Sequence, residues 1–432
     1  MSSQQTKPPH PFTFPDYRSY LVARFSSTLA QNGMVVVIGW QVYDIARQTM
    51  DLKDAAFQLG LIGVAQFLPL LLLTLVVGWT ADRIDRRWIA RCAVLLEASC
   101  AIALAVLAWS DRTTLPALFG IAALLGVARA FAGPALSALA PNLVPPASLP
   151  TAIALSSIAW QSGGIVGPAA GGYLYAHSHW LPFACAAALF LVSFVGLMTI
   201  GPIARTALDR GANPWRQMID GLHYVRHNRI VFGAISLDLF AVLLGGATAM
   251  LPIYARDVLN VGAEGLGHLR AAPAFGAAAT ALWFSFRPLK NEVGVKMLIA
   301  VGVFGAATVV FGLSRNVALS LLCLAILGVA DMFSVYVRQS LIQLSTPNDM
   351  RGRVGAVSSL FVSGSNELGE AESGFLAALI GPVAAVVAGG VGAIGIALLW
   401  SRLFPELRAA RTFTPPARLE DPPLTPAQET QS

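Results

Sequence analysis

About twelve apolar runs, each roughly 20 residues long, follow one another between positions 20 and 403, long enough as helices to cross ~30 Å of hydrocarbon. That repetition leaves the chain few ways to fold. In lipid every backbone N–H and C=O must be bonded within the protein, so only helices and closed barrels can span. The short alternating strands of a barrel are missing here. The expected fold class is therefore all-α, a polytopic membrane protein. Charged residues make up 12% of the chain and mean hydropathy is +0.65, whereas a soluble domain carries about 25% charge. The four cysteines (Cys92, Cys100, Cys185, Cys323) all fall inside apolar runs and read as small buried hydrophobes.

Spans are expected near 20–43, 58–81, 88–109, 115–139, 150–175, 180–202, 230–255, 266–286, 295–313, 316–338, 354–377 and 381–403. The longest polar break lies at 203–229 and divides them six and six. The resulting organisation is a cytoplasmic segment 1–19, a six-helix bundle 20–202, a cytoplasmic loop 203–229, a second bundle 230–403 and a tail 404–432. The N-terminal segment is polar and Pro-rich without the apolar stretch of a signal peptide. The tail, rich in Pro and charge, is expected to be disordered. Within the central loop, Arg216, Ile219, Leu222, Tyr224, Val225 and Arg226 read as a basic amphipathic helix lying on the membrane face. His223 and His227 stand four apart there, but two polar residues on a wet face explain them without a metal.

With the N-terminus inside, 21 Lys and Arg residues fall on the cytoplasmic side and 6 on the other. This bias places both termini in the cytoplasm.

A second regularity divides the chain. Shifted by 202 positions, residues 126–174 overlay 328–376 without a gap: Gly126 on Gly328, Pro145 on Pro347, Gly167 on Gly369, Gly172 on Gly374. Arg129 overlays Asp331, and both stand inside apolar runs. Duplicated membrane halves with ionisable residues at mid-span are the mark of a transporter.

Three motifs sharpen this. Between the second and third spans stands Gly78-Trp79-Thr80-Ala81-Asp82-Arg83-Ile84-Asp85-Arg86-Arg87. It resembles the signature loop of the major facilitator superfamily, carried here by Gly78, Asp82, Arg83, Arg86 and Arg87, with Asp85 where the family usually has Gly. In the fifth span, Gly163, Gly167, Pro168, Gly171 and Gly172 resemble the same superfamily's antiporter signature, with Ala154 replacing its earlier Gly. In the fourth span, Arg129 with Gly133 is similar to the superfamily's buried-Arg signature. Ser236–Phe240 and Ser365–Glu370 look like the bacterial secretion-effector branch that includes enterobactin exporters and some macrolide pumps. The resemblance covers residues 17–403. It implies two pseudo-symmetric six-helix bundles, alternating access, proton coupling and export, with a proton-coupled uptake symporter or a non-transporting sensor or scaffold of the same fold as the alternatives.

The chemistry is expected at the mid-membrane charges, since each costs several kcal/mol and needs a reason. Arg24, Arg129, Asp238 and Asp331 stand on the first, fourth, seventh and tenth spans, which line the cavity in the superfamily's fold. Glu367, Glu370 and Glu372 stand on the eleventh. Bases thus fall in the first half and acids in the second. The coupling proton is expected on Asp238, Asp331 or Glu367, with Arg129 as a counter-ion that does not itself deprotonate. Other readings stand beside this one. Arg24 could snorkel to the inner interface, and Arg129 with Asp331 could form a purely structural bridge. Gln31, Asn32, Trp160, Gln161, Tyr336 and Asn366 are candidate substrate contacts, suited to an amphipathic or aromatic solute.

No Gly-Lys-Ser/Thr phosphate loop and no zinc triad occurs. An enzyme and an ATP-driven pump are not expected. No cofactor is expected beyond the proton gradient. The expected partners are the lipid bilayer and a small-molecule substrate, with no nucleic acid, and the protein is expected to be a monomer.

Overall fold

The computed structural model describes residues 9–202, 214–287, 289, 291–347 and 350–412. The first bundle comprises α1 (Pro15–Thr49), α2 (Leu52–Arg83), α3 (Arg86–Trp109), α4 (Leu115–Leu139), α5 (Leu149–His177) and α6 (Leu181–Met198). A surface helix, α7 (Pro214–His227), turns through 102° into α8 (Arg229–Leu244). The second bundle continues with the short α9 (Leu251–Ile253), α10 (Gly262–Phe286), α11 (Val293–Leu313), α12 (Val317–Ser345), α13 (Arg351–Ile380) and α14 (Pro382–Leu403), followed by α15 (Pro405–Ala409). Among the described residues, eight helices are long and apolar enough to cross a membrane, nine if α7 and α8 count as one bent span. Helices α5, α10 and α13 are 29, 25 and 30 residues long and complete the two sets of six. Their lower apolarity has a cause. Small residues dominate α5, and α13 carries Arg351, Arg353, Glu370 and Glu372.

The duplication in the sequence is a duplication of packing. Gly126 of α4 lies against the backbone of Gln66 in α2, and Gly328 of α12 lies against the backbone of Pro273 in α10. Between the bundles, Gly172 of α5 meets Gly267 of α10, and Gly374 of α13 meets Gly60 of α2. Gly172 and Gly374 are 202 positions apart, so each copy of the segment builds the same joint on its own side. A Cβ on Gly172 would sit 2.6 Å from the Gly267 Cα, which only Gly avoids. The bundles meet chiefly along α2–α13 and α5–α10.

Three elements differ from expectation. The seventh span is not one helix: α8 stops at Leu244, and Gly245–Met250 is irregular before α9 and a wide π turn at Tyr254–Val258. Gly245, Gly246 and Thr248 line a cavity, the setting in which broken backbone is tolerated at membrane depth. The tail expected to be disordered from residue 404 begins instead with α15. Leu407 is buried there, Glu406 pairs with Arg229 at 2.9 Å, and the Ala410 carbonyl accepts from the Gly294 N–H at 3.0 Å. Residues 413–432 lie outside the described residues. Helix α7 does not simply rest on a surface. Val225 is buried, Asp220 pairs with Arg353 of α13 at 3.4 Å, and the Tyr224 hydroxyl donates to the Ser345 carbonyl at 2.7 Å. Ile219 and Leu222 on α7 are exposed. His227 Nδ1 bonds the His223 carbonyl at 2.8 Å, and no metal-binding cluster occurs among the described residues.

Candidate functional site: a cavity between the two bundles

A cavity of about 320 Å³ opens between the bundles, at the lower end of the range for small-molecule sites, roughly 300–1,000 Å³. The first bundle contributes Gly164, Ile165 and Pro168 of α5. The second contributes the rest: Val242 of α8 and the broken stretch after that helix, then Arg270, Pro273, Ala274 and Ala277 of α10, Phe304 of α11, Leu327, Gly328 and Asp331 of α12, and Asn366, Gly369 and Glu370 of α13.

Helix α5 can reach this cavity because of its small residues. Gly163, Gly167 and Gly171, spaced by four, seat α5 on the backbone of α1. A Cβ at Gly167 would lie 2.6 Å from the Leu29 carbonyl oxygen. Gly172 faces α10, while Gly164 and Pro168 face the cavity. The antiporter-like signature thus serves three faces of one helix.

Of the expected charges, the cavity gathers Asp331 and Glu370, with Asn366 beside them. Arg270, unforeseen as a site residue, joins them within electrostatic reach of Glu370. Asp331 makes no hydrogen bond or ion pair among the described residues. Asp238 is elsewhere, buried in an ion pair with Arg338 of α12. Arg24 Nη2 donates to Ser137 Oγ of α4 at 3.3 Å, tying two helices of the first bundle. Glu372 accepts a long 3.5 Å bond from Ser373. The side chain of Glu367 lies outside the described residues.

The expected division into a basic first half and an acidic second half does not hold. Glu97 of α3 is wholly buried in the first bundle, and the second bundle buries Arg338 and half-buries Arg270. Glu97 accepts from Gln31 Nε2 at 2.9 Å and from Ser27 Oγ at 3.4 Å, and Arg129 of α4 lies within its electrostatic reach. Each bundle therefore sets acids beside bases of its own, which lowers the cost of keeping those groups in lipid. Glu97 was readable as the single acid in the run 88–109. Arg270 and Arg338 stood inside the expected spans 266–286 and 316–338, near their ends, and were counted with the loop charges; the structure starts α10 earlier and ends α12 later, which sets both further inside. Neither belongs in a count of loop charges, and the bias survives without them.

The polar candidates scatter. Gln31 serves Glu97. Asn32 donates back to the Thr28 carbonyl at 2.9 Å. Tyr336 stacks on Phe284 of α10 with ring centres 4.3 Å apart. Trp160 and Gln161 are exposed on α5. Only Asn366 lines the cavity.

In the signature loop, Asp85 gains a role where the family usually has Gly. Its carboxylate caps α3 by accepting from the Arg87 N–H at 2.9 Å and pairs with the Arg87 guanidinium at 2.6 Å. Arg87 and Arg91 also donate to carbonyls at the C-terminal end of α6. Arg83 is exposed and Arg86 is half-buried. The side chains at Gly78 and Asp82 lie outside the described residues.

At the end away from the described termini the bundles are clasped. Asp257 accepts from the Tyr43 hydroxyl at 2.5 Å and pairs with Arg47 at 2.9 Å, and Arg256 pairs with Asp44. Tyr173 and His268 add an edge-to-face contact at 5.0 Å. Burial pushes the Asp257 carboxyl up, but the hydrogen bonds from Arg47 and Tyr43 and the charges of Arg47 and Arg256 outweigh it and hold the group below its ordinary range. A depressed carboxylate stabilises the clasped state above its ordinary value, and the contribution is lost as pH falls through the lowered one. Asp257→Asn should cost the clasp about 2 kcal/mol, a shift of roughly 30-fold toward an open end. Labelling of a cysteine at Thr248, reached from the clasped side by an impermeant maleimide, should rise accordingly and should rise in acid for the parent alone. An unchanged labelling rate would remove the clasp from the argument.

Comparison with known proteins agrees with this architecture. The model of the transmembrane secretion effector family matches residues 10–431. The enterobactin exporter EntS of Escherichia coli O1:K1 / APEC is 27% identical over 417 residues, covering 95% of this chain and 96% of that one. EntS of Citrobacter koseri is 28% identical over 412 residues, covering 93% and 95%. Among solved structures, a bacterial homolog of the human lysosomal transporter Spinster, inward-facing and occupied, overlays with a TM-score of 0.69 at 17% identity, covering 91% of this chain and 98% of that one. A D-xylose–proton symporter overlays at 0.66 with 15% identity, covering 90% and 98%. At such identities the solved structures speak for the fold alone. The family match, which spans nearly the whole length, speaks for more: this chain belongs to the transmembrane secretion effector family and is a membrane transporter of the major facilitator fold.

Proposed function

We propose that this protein is a proton-coupled exporter in a bacterial inner membrane, with both termini in the cytoplasm, that carries a small amphipathic molecule of siderophore-like or drug-like kind. The observation that carries the reading is Asp331, a carboxyl group facing an inter-bundle cavity without a protein partner among the described residues. A carboxyl in that setting can exchange a proton against a bound solute. Arg270 and Glu370 balance one another across the same cavity, and Arg129 with Glu97 forms the counterpart in the first bundle. The clasp at the outer end supports reading this state as inward-facing, ready to load from the cytoplasm. The helix α5 signature supports export over uptake, and the enterobactin-exporter relatives support a siderophore-like cargo. The protein works as a monomer on the proton gradient, without a cofactor.

Inside-out vesicles test this. On imposing an acid interior, ethidium or an iron-free catecholate siderophore should accumulate, and a protonophore should abolish the accumulation. If neither probe responds to the gradient, the reading fails. If a probe leaves the vesicles instead, the direction is uptake.

A further inference from the structure

A second, smaller space of about 20 Å³ lies behind Asp331, lined by Asp331, Ala330 and Ser334 of α12, Asp238 of α8, and Val301 and Phe304 of α11. One water requires about 10–15 Å³ of such volume and two to four polar partners. Both conditions are met. The two carboxyls and the Ser334 hydroxyl are the polar lining. Ser334 is 7% exposed and makes no hydrogen bond among the described residues. Two carboxyls and a hydroxyl around so small a space favour something polar filling it.

We propose that a single water bridges Asp331 to Asp238 and gives the coupling proton a route out of the cavity along α12, separate from the solute's path. This rests on Asp331 being the proton site. Asp331, Ser334 and Arg338 are spaced by three and four, so they stack on one face of α12. Arg338 is seven residues nearer the cytoplasmic end, about 10 Å along the helix. The ionisable groups around Asp331 are Arg270 of α10 and Glu370 of α13 across the cavity, Asp238 of α8 and Arg338 of α12. Helix α11 offers only apolar side chains to the small space.

In the transfer the Asp331 O–H bond breaks and its proton joins the water oxygen. The water gives one of its own hydrogens to an Asp238 carboxylate oxygen. One proton has moved and the water is unchanged. Asp238 is then neutral and its ion pair with Arg338 is suspended until the proton passes inward. The arrangement lets a solute fill the cavity while the proton leaves behind it.

The test uses the full chain in liposomes with Cys92, Cys100, Cys185 and Cys323 replaced by Ala. Infrared difference spectra follow the protonated-carboxyl band removed by Asp331→Asn, and its hydrogen–deuterium exchange is timed. Ala274→Cys, labelled with a bulky maleimide, plugs the cavity. Exchange at Asp331 should persist in the plugged protein. It should slow about tenfold when Ser334→Val is added, which removes the hydroxyl and fills the small space. Ser334→Ala, which leaves the space open, should slow it less. If plugging alone stops exchange, or if Ser334→Val leaves it unchanged, the route is wrong although Asp331 still titrates. If the parent shows no titrating Asp331 band, the proton-site reading fails first and this route with it.

Discussion

Asp331→Asn should abolish proton-driven accumulation of solute in inside-out vesicles, by about 100-fold or more, while solute–solute exchange continues. Asn nearly matches Asp in size, so the cavity wall keeps its shape. What it loses is the ability to gain and release a proton. A step that requires protonation at this position stops, whereas a step that only reorients a loaded cavity does not. Glu370→Gln provides the contrast. Glu370 sits within reach of Arg270, so its removal disturbs a charge balance rather than a lone acid, and the expected loss of driven transport is smaller. Equal rates for parent and Asp331→Asn under a gradient would take Asp331 out of the coupling mechanism. Equal losses of exchange and driven transport would make it a structural residue.

The second large effect is on folding. Asp238→Asn should destabilise the second bundle by about 3–5 kcal/mol, because it leaves the Arg338 charge buried without its counter-ion. Arg338 is 3% exposed and Asp238 8%. The remedy distinguishes this from a general loss of packing. The double variant Asp238→Asn/Arg338→Gln removes both charges and should recover most of the lost thermal stability in detergent, since a buried pair replaced as a unit is often neutral. If the double variant is as unstable as the single one, the ion pair is not what the bundle depends on at that position. The recovered double variant should still lack the inward proton route, which separates the structural use of the pair from its use in transfer.

Much of the site depended on features that periodicity cannot display. Asp331, Glu370 and Asn366 were readable as polar residues inside apolar runs, where each needs a reason. Arg338 closed the expected run 316–338 and was counted with the loop charges, while α12 continues to Ser345 for as long as its backbone bonds can be satisfied. Arg270, four residues inside the expected run 266–286, was counted as a loop charge in the same way. Glu97 was visible but was passed over, since its helix does not belong to the cavity wall; its partners Gln31, Ser27 and Arg129 come from α1 and α4 and are gathered only by folding. The clasp joins Tyr43, Asp44 and Arg47 to Arg256 and Asp257, more than 200 positions away, and no local pattern connects them.

By itself the sequence determined the fold class, the split into two related halves and the small-residue joints. Lipid forces every backbone group into a helix, and a duplicated segment must repeat its close contacts. Only the tertiary structure decided which charges meet. Electrostatic partnership depends on distance through space in a medium of low dielectric, and helices far apart in the chain supply the two sides of every pair that matters here.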